Sequence, residues 1–287
     1  MLIKRIILLF FRDKANVFFS LLAVLIILAL YVLFLGNMME QSLQAQLGFE
    51  SEKISMIMAS IMLGGMVAVT SVTGCMGALG ISVEDKKKAA NDFLTSPAPR
   101  WKITMGYVLG SAVVGFIMTF AALVISLIYI FSQGGNIPAL IDILRLLLTV
   151  LLSVLCGNSM VYFLSVFIKT QNAFSAASTV IGSLIGFLMG IYIPIGQFPE
   201  AVQWIIKCFP MSHAASMFRQ ILADDELANL FAAAPPESLE NFRELFGVVY
   251  SYGGFTSGFW FSAVVLVVTT VVFYVLSLAA MRNRRIG

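Results

Sequence analysis

Six stretches of this chain contain no charged side chain, and each is longer than the roughly 20 apolar residues that a helix needs to cross a bilayer. They run from Ala15 to Met39, Ile54 to Val83, Ile103 to Ala139, Leu146 to Ile168, Thr170 to Pro199 and Leu245 to Met281. Inside hydrocarbon every backbone N–H and C=O needs a partner within the protein, so such stretches fold as helices. The composition agrees: 60% of residues are hydrophobic, 11% are charged and the mean hydropathy is +0.95, against about 25% charge in soluble domains. With glycine, proline and polar ends trimmed, the spans fall at 17–36, 56–81, 104–131, 146–168, 173–193 and 258–281. The expected fold class is an all-α membrane protein with six transmembrane helices.

Lysine and arginine flanking the spans are retained in the cytoplasm, which sets the orientation. Of the 18 such residues, 13 fall on one side: Lys4, Arg5, Arg12, Lys14, Lys86, Lys87, Lys88, Arg100, Lys102, Lys169, Arg282, Arg284 and Arg285. Both termini are therefore expected in the cytoplasm, with the chain a multi-pass protein of the plasma membrane. The opposite side carries an excess of acids. The net charge of +3 is thus the sum of two opposed faces and gives no reason to expect a nucleic-acid partner. Residues 1–14 read as an amphipathic helix in the cytoplasmic interface, because Arg12, Asp13 and Lys14 interrupt the apolar run and no small-residue cleavage site follows. A plain anchoring leader is the alternative.

The expected spans hold no ionisable residue of the kind that couples transport to an ion gradient. Asp142 and Arg145, three residues apart, read as a surface pair at the start of the fourth span. No GxxxxGK[ST] loop is present to cradle nucleotide phosphates. Uphill movement would need a second polypeptide to supply energy. Hydroxyl groups in the spans have no base beside them, and His213 is the only histidine, a structural hydrogen-bonding residue on this reading. No catalytic or metal site is assigned, and the chain is not expected to be an enzyme. Cys75, Cys156 and Cys208 offer no disulfide framework and no ligand cluster.

Three local features remain. After the fifth span, Ile193 to Leu222 stops at a proline, and only ten residues separate Pro199 from Pro210, about 15 Å of helix and half of the bilayer core. Residues 194–257 are therefore expected to hold outer re-entrant helices and a loop, with a helix from Pro236 to about Tyr250 ended by Gly253 and Gly254. The acids of 224–254 form a solvated cap or act on charged ligands. Gly182, Gly186 and Gly190, like Gly106 and Gly110, repeat every four residues and mark close helix packing, within the chain or across a dimer. Between the second and third spans, Ser82 can cap a short helix over 84–94. Phe93 and Leu94 would be wasted in water there and suit a socket on a soluble partner.

The loop Glu84 to Lys102, with its acidic start and its Phe93-Leu94-Thr95-Ser96-Pro97 ending, is similar to the loop of ABC type-2 transporter permeases that carries their coupling helix. The run Pro194, Gln197, Phe198, Pro199, Trp204, Pro210 and His213, leading to Phe218 and Arg219, resembles the same family's proline-punctuated outer segment. The resemblance implies the permease subunit of an ABC exporter that moves an amphipathic drug, lipid or peptide outward. Its partners would be a dimer of ABC ATPase subunits, which hold ATP and Mg, a second permease copy or a homologous permease, and the lipid bilayer; this chain itself would carry no cofactor. Arg12, Asp13, Glu84, Asp85, Asp92, Phe93 and Leu94 would meet the ATPase, and the outer run would form a gate. An ion-coupled transporter or channel, or a non-transporting interaction or immunity subunit, is the alternative.

Overall fold

The computed structural model describes residues 2–31, 33, 52–88, 100–135, 138–232 and 235–283. Among them the regular elements are helical, apart from one isolated antiparallel bridge between Ser251 and Thr256. Helices α1 (Leu2–Arg12) and α2 (Lys14–Leu30) meet at Asp13, whose carboxylate accepts from the Asn16 amide at 3.1 Å and so caps α2. Two long helices follow: α3 (Glu52–Lys88) has 37 residues and α4 (Arg100–Ser132) has 33. At roughly 1.5 Å per residue they are about 55 and 50 Å long, well beyond the ~30 Å hydrocarbon core. Then come α5 (Leu140–Phe167) and α6 (Gln171–Leu188). A short 3-10 turn at Ile195–Gln197 leads to α7 (Glu200–Cys208), α8 (Pro210–Leu230), α9 (Pro236–Leu245) and α10 (Phe259–Asn283).

Four of the described helices are long and apolar enough to cross a membrane, over Ile54–Asp85, Trp101–Ser132, Leu140–Phe167 and Phe259–Met281. They coincide with the expected second, third, fourth and sixth spans. Residues 32 and 34–36 of the expected first span lie outside the described residues. The expected fifth span, 173–193, ends early. Gly190 adopts a left-handed φ of 61°, its N–H donates to Phe187 O, and Ile191 N–H donates to Gly186 O, both at 3.0 Å. This crossed pair closes α6. A glycine, and not Pro194, stops the helix.

Three further expectations are corrected. No glycine or proline follows Gly80 before Lys88, so α3 runs on through the acidic pair and no separate helix starts at Ser82. Its hydroxyl donates to Leu79 O at 2.7 Å from mid-helix. The outer helix that begins at Pro236 ends at Leu245 and not near Tyr250, because Gly247 (φ 66°) supplies the left-handed residue there. Gly253 (φ 62°) and Gly254 (φ 103°) instead turn the chain sharply inside the Ser251–Thr256 bridge, where Tyr252 N–H donates to Phe255 O at 2.8 Å.

Helix α3 is the hub. In its most apolar stretch 94% of residues are buried, against 11% in α10, and α2, α4, α5, α6 and α8 all pack on it. Glycines set the closest crossings. A methyl at Gly74 would sit 3.4 Å from Gly115 Cα, and one at Gly157 would sit 3.3 Å from Ser71 O. A methyl at Gly115 would meet Cys75 Sγ. Polar glue adds to this packing: Ser111 Oγ donates to Asn158 Oδ1 at 2.7 Å, and Asn158 Nδ2 donates to Val108 O at 2.9 Å and to Tyr274 Oη at 3.1 Å. That network ties α4, α5 and α10 together.

Candidate functional site

The amphipathic α1 has a protein seat. Leu2 and Ile6 lie over Gly106 and Gly110 of α4, where a methyl at Gly110 would come within 2.8 Å of Ile6 Cδ1. Phe10 packs with Ala78, Val114 and Met118. The contacts advance along both helices together, so α1 runs beside the first turns of α4 in the same direction. Gly106 and Gly110 are therefore consumed inside the chain. The exposed Leu8 and Phe11 lie on the opposite, lipid-compatible face.

An ion pair fastens this seat. Arg5 Nη1 and Nη2 donate to Asp85 Oδ2 at 2.6 Å and Oδ1 at 3.0 Å, and Tyr107 Oη donates to Asp85 Oδ2 at 2.6 Å. The hydrogen bond to Asp85 raises the Arg5 pKa above its ordinary value. Asp85 thus links α1, α3 and α4, an internal role that the sequence reading did not foresee. Asp13 is occupied in capping α2 and Arg12 is exposed. Asp92, Phe93 and Leu94 lie outside the described residues.

Beside this cluster a cavity of about 1070 Å³ opens between the α1–α2 corner, α3 and α6. Arg5, Asp13, Glu84, Asp85, Gln171 and Ser178 are among its walls. The Gln171 Oε1 and Ser178 Oγ atoms are enclosed and have no hydrogen-bond partner among the described residues.

The outer run is ordered as two helices of unequal length. Pro199 precedes α7, and Pro210 opens α8 at its first position, where the missing N–H costs nothing. Pro194 is buried, Gln197 and Pro199 are exposed, and Phe198 O accepts from Gln203 Nε2 at 2.8 Å. Trp204 is exposed, with Lys207 Nζ 5.4 Å from its ring centre. The residues of α8 from Met211 to Arg219 are all buried, so the second outer helix begins inside the protein. Of the glycine series, Gly186 meets the Tyr192 ring and Gly190 caps α6, while a methyl at Gly182 would meet nothing within 4 Å. Within the chain, then, Gly186 and Gly190 make contacts and Gly182 makes none.

His213 is a structural hinge pin of this end. Its ring nitrogens pair with Ser262 Oγ and with Lys207 O, each at 3.1 Å, and Tyr252 Oη donates to Lys207 O at 2.9 Å. Burial lowers the imidazole pKa below its ordinary 6.5, partly opposed by the Lys207 carbonyl. The unfolded chain therefore binds the proton more readily. Stability from this group is complete above pH 6.5 and falls as pH drops through and below that value. Thermal unfolding is expected at a lower temperature near pH 5 than near pH 7.5, and His213→Gln should shrink that difference. An unchanged difference removes His213 as its source.

Asp142 and Arg145 form the anticipated exposed pair, 3.2 Å apart. Between α8 and α9 Arg243 and Asp224 pair at 2.6 Å, yet burial still raises the Asp224 pKa against the pull of Arg243. Arg219, which closes the proline-punctuated run in the sequence, is fully buried.

Residues 37–279 match the family model described as ABC-2 family transporter protein. No curated protein matches the chain.

Proposed function

We propose that this chain, which belongs to the ABC-2 family of transporter proteins, is the membrane subunit of an ATP-driven exporter for an amphipathic substrate. In this reading α2, α3, α4, α5, α6 and α10 are the six spans and both termini face the cytoplasm. Helix α7 and the start of α8 form the re-entrant closure on the outer side. Two permease copies and two separate ATPase subunits make the working unit, with ATP and Mg on the ATPases. The exposed Val180 and Leu184 of α6, beside the open Gly182, offer a face for the second copy.

One observation carries the reading. Helix α3 ends at Lys88 and α4 begins at Arg100, so the connection 89–99 joins two long helices whose adjoining ends are fastened to α1 by Arg5, Asp85 and Tyr107. A push on Phe93 and Leu94 would be delivered into α3, the helix that touches most others. The cavity beside α1 and α6 is then the chamber that admits substrate.

The test is co-purification with an ATPase carrying GxxxxGK[ST], followed by Phe93→Asp or Leu94→Asp. Substrate-stimulated ATP hydrolysis is expected to vanish while membrane insertion persists. Unchanged stimulation would remove the docking assignment. Gradient-driven uptake without any ATPase would assign an ion-coupled transporter. Stable ATPase association without movement of any compound would assign a non-transporting subunit.

A further inference from the structure

Arg219 lies in the middle of α8 with none of its surface exposed. Its described hydrogen-bond partners are all backbone carbonyls. Nε donates to Ile61 O at 3.0 Å, Nη1 to Gly247 O at 3.3 Å, and Nη2 to Met189 O at 2.6 Å and Gly190 O at 3.1 Å. Burial lowers the guanidinium pKa from its ordinary value, with Tyr250 opposing, so the cation needs negative potential from its surroundings.

Two helix ends supply it. Met189 and Gly190 terminate α6, and Gly247 terminates α9 through the same crossed pair, in which Gly247 N–H donates to Glu244 O at 3.1 Å and Val248 N–H donates to Arg243 O at 2.8 Å. Each C-terminus carries roughly half a negative charge. Two of them converging on one guanidinium therefore offset about one positive charge without any carboxylate. Glycines keep the seat open. A methyl at Gly65 would come within 2.9 Å of Arg219 Nη2, one at Gly64 within 3.1 Å of Arg219 N, and one at Gly247 within 3.0 Å of Nη1. The left-handed turns of both ends would also strain any other side chain at Gly190 or Gly247.

We propose that Arg219 is a positioning residue whose guanidinium fastens the C-termini of α6 and α9 and the N-terminal third of α3 to α8, so that the outer end moves as one body during transport. The fastening belongs to the chain itself; its use in transport rests on the permease reading above. A lysine cannot replace it. One ammonium is a point charge and does not reach the carbonyls of both helix ends and of α3 together, whereas the forked guanidinium does.

Hydrogen–deuterium exchange on the full chain in lipid nanodiscs tests this. In Arg219→Gln, which removes the charge, exchange is expected to rise about tenfold at residues 189–198 and 246–250 together, with α5 and α10 as in the native chain. In Arg219→Lys, which keeps the charge, the rise should be smaller and confined to one of the two ends. Native exchange at both ends in Arg219→Gln, or a rise at only one, overturns the proposal. If Arg219→Gln does not accumulate as folded protein, Arg219→Lys decides alone: native exchange at both ends overturns the assignment, and a rise at one supports it. Loss of the permease reading would show separately, as absence of ATP-dependent movement by the native chain.

Discussion

Gly115→Leu is expected to destabilise the chain by about 3 kcal/mol or more, the upper range for overpacking a filled core. The reason lies at the crossing of α3, α4 and α5. The first carbon of any side chain at Gly115 would already meet Cys75 Sγ and come within 3.3 Å of Val154 Cγ1. Neither neighbour has room to withdraw. Cys75 is wholly buried, its thiol lies 3.8 Å from Val154 O, and Val154 is also buried. Leucine would have to force α4 away from α3, breaking contacts that in lipid depend on close backbone approach. Gly182→Ala is the matched control. It adds a methyl to open space and should gain up to about 1 kcal/mol from the better helix former. Thermal unfolding in one detergent ranks the three proteins, with Gly115→Leu lowest and Gly182→Ala level with or above the native chain. A Gly115→Leu protein that melts with the native chain would remove this crossing as the core of the fold.

That contrast shows what was legible in the sequence. The charge-free stretches located α3, α4, α5 and α10, because a bilayer imposes length and apolarity on each helix separately, and both are local properties. The glycine series at 182, 186 and 190 has a local spacing, but what faces each glycine is not local. The glycines that set the crossings, Gly74, Gly115 and Gly157, stand on three different helices, and no spacing within one segment could unite them. Charge misled. The acids at Glu84 and Asp85 mark where apolar sequence stops, so they were read as the start of a new element, although helical hydrogen bonding passes through them without interruption. Asp85 was then assigned to an outside partner, yet its ligands come from residues 80 and 22 positions away in sequence. Arg219 is the extreme case, since its carbonyl partners belong to segments that approach only in the folded chain. The N-terminal helix was legible as amphipathic, and its seat on α4 was not.

Arg5→Ala should release α1 at a cost of about 2 kcal/mol without unfolding the remainder. Removing one partner from a buried pair costs about 3–5 kcal/mol because the other charge is stranded. The Asp85 side chain is only 12% exposed, but that of Arg5 is 41% exposed, so solvent screening lowers the figure. The two-pronged geometry and the added Tyr107 bond keep it well above that of a surface pair. What then holds α1 is the contact of Leu2, Ile6 and Phe10 with α3 and α4, too small a surface for an 11-residue helix that is marginal on its own. Exchange at residues 2–12 is expected to rise in Arg5→Ala and in Asp85→Asn, while α5 and α10 stay as in the native chain. The double variant should lose little more than either single one, because both remove the same interaction. Since Asp85 joins α1 to the bases of α3 and α4, the coupled complex should also move less substrate for each ATP hydrolysed, with basal hydrolysis retained. Strictly additive losses in the cycle, or native exchange at residues 2–12 in both single variants, would show that α1 is held by its apolar contacts alone and that the ion pair does not fasten it to α3 and α4.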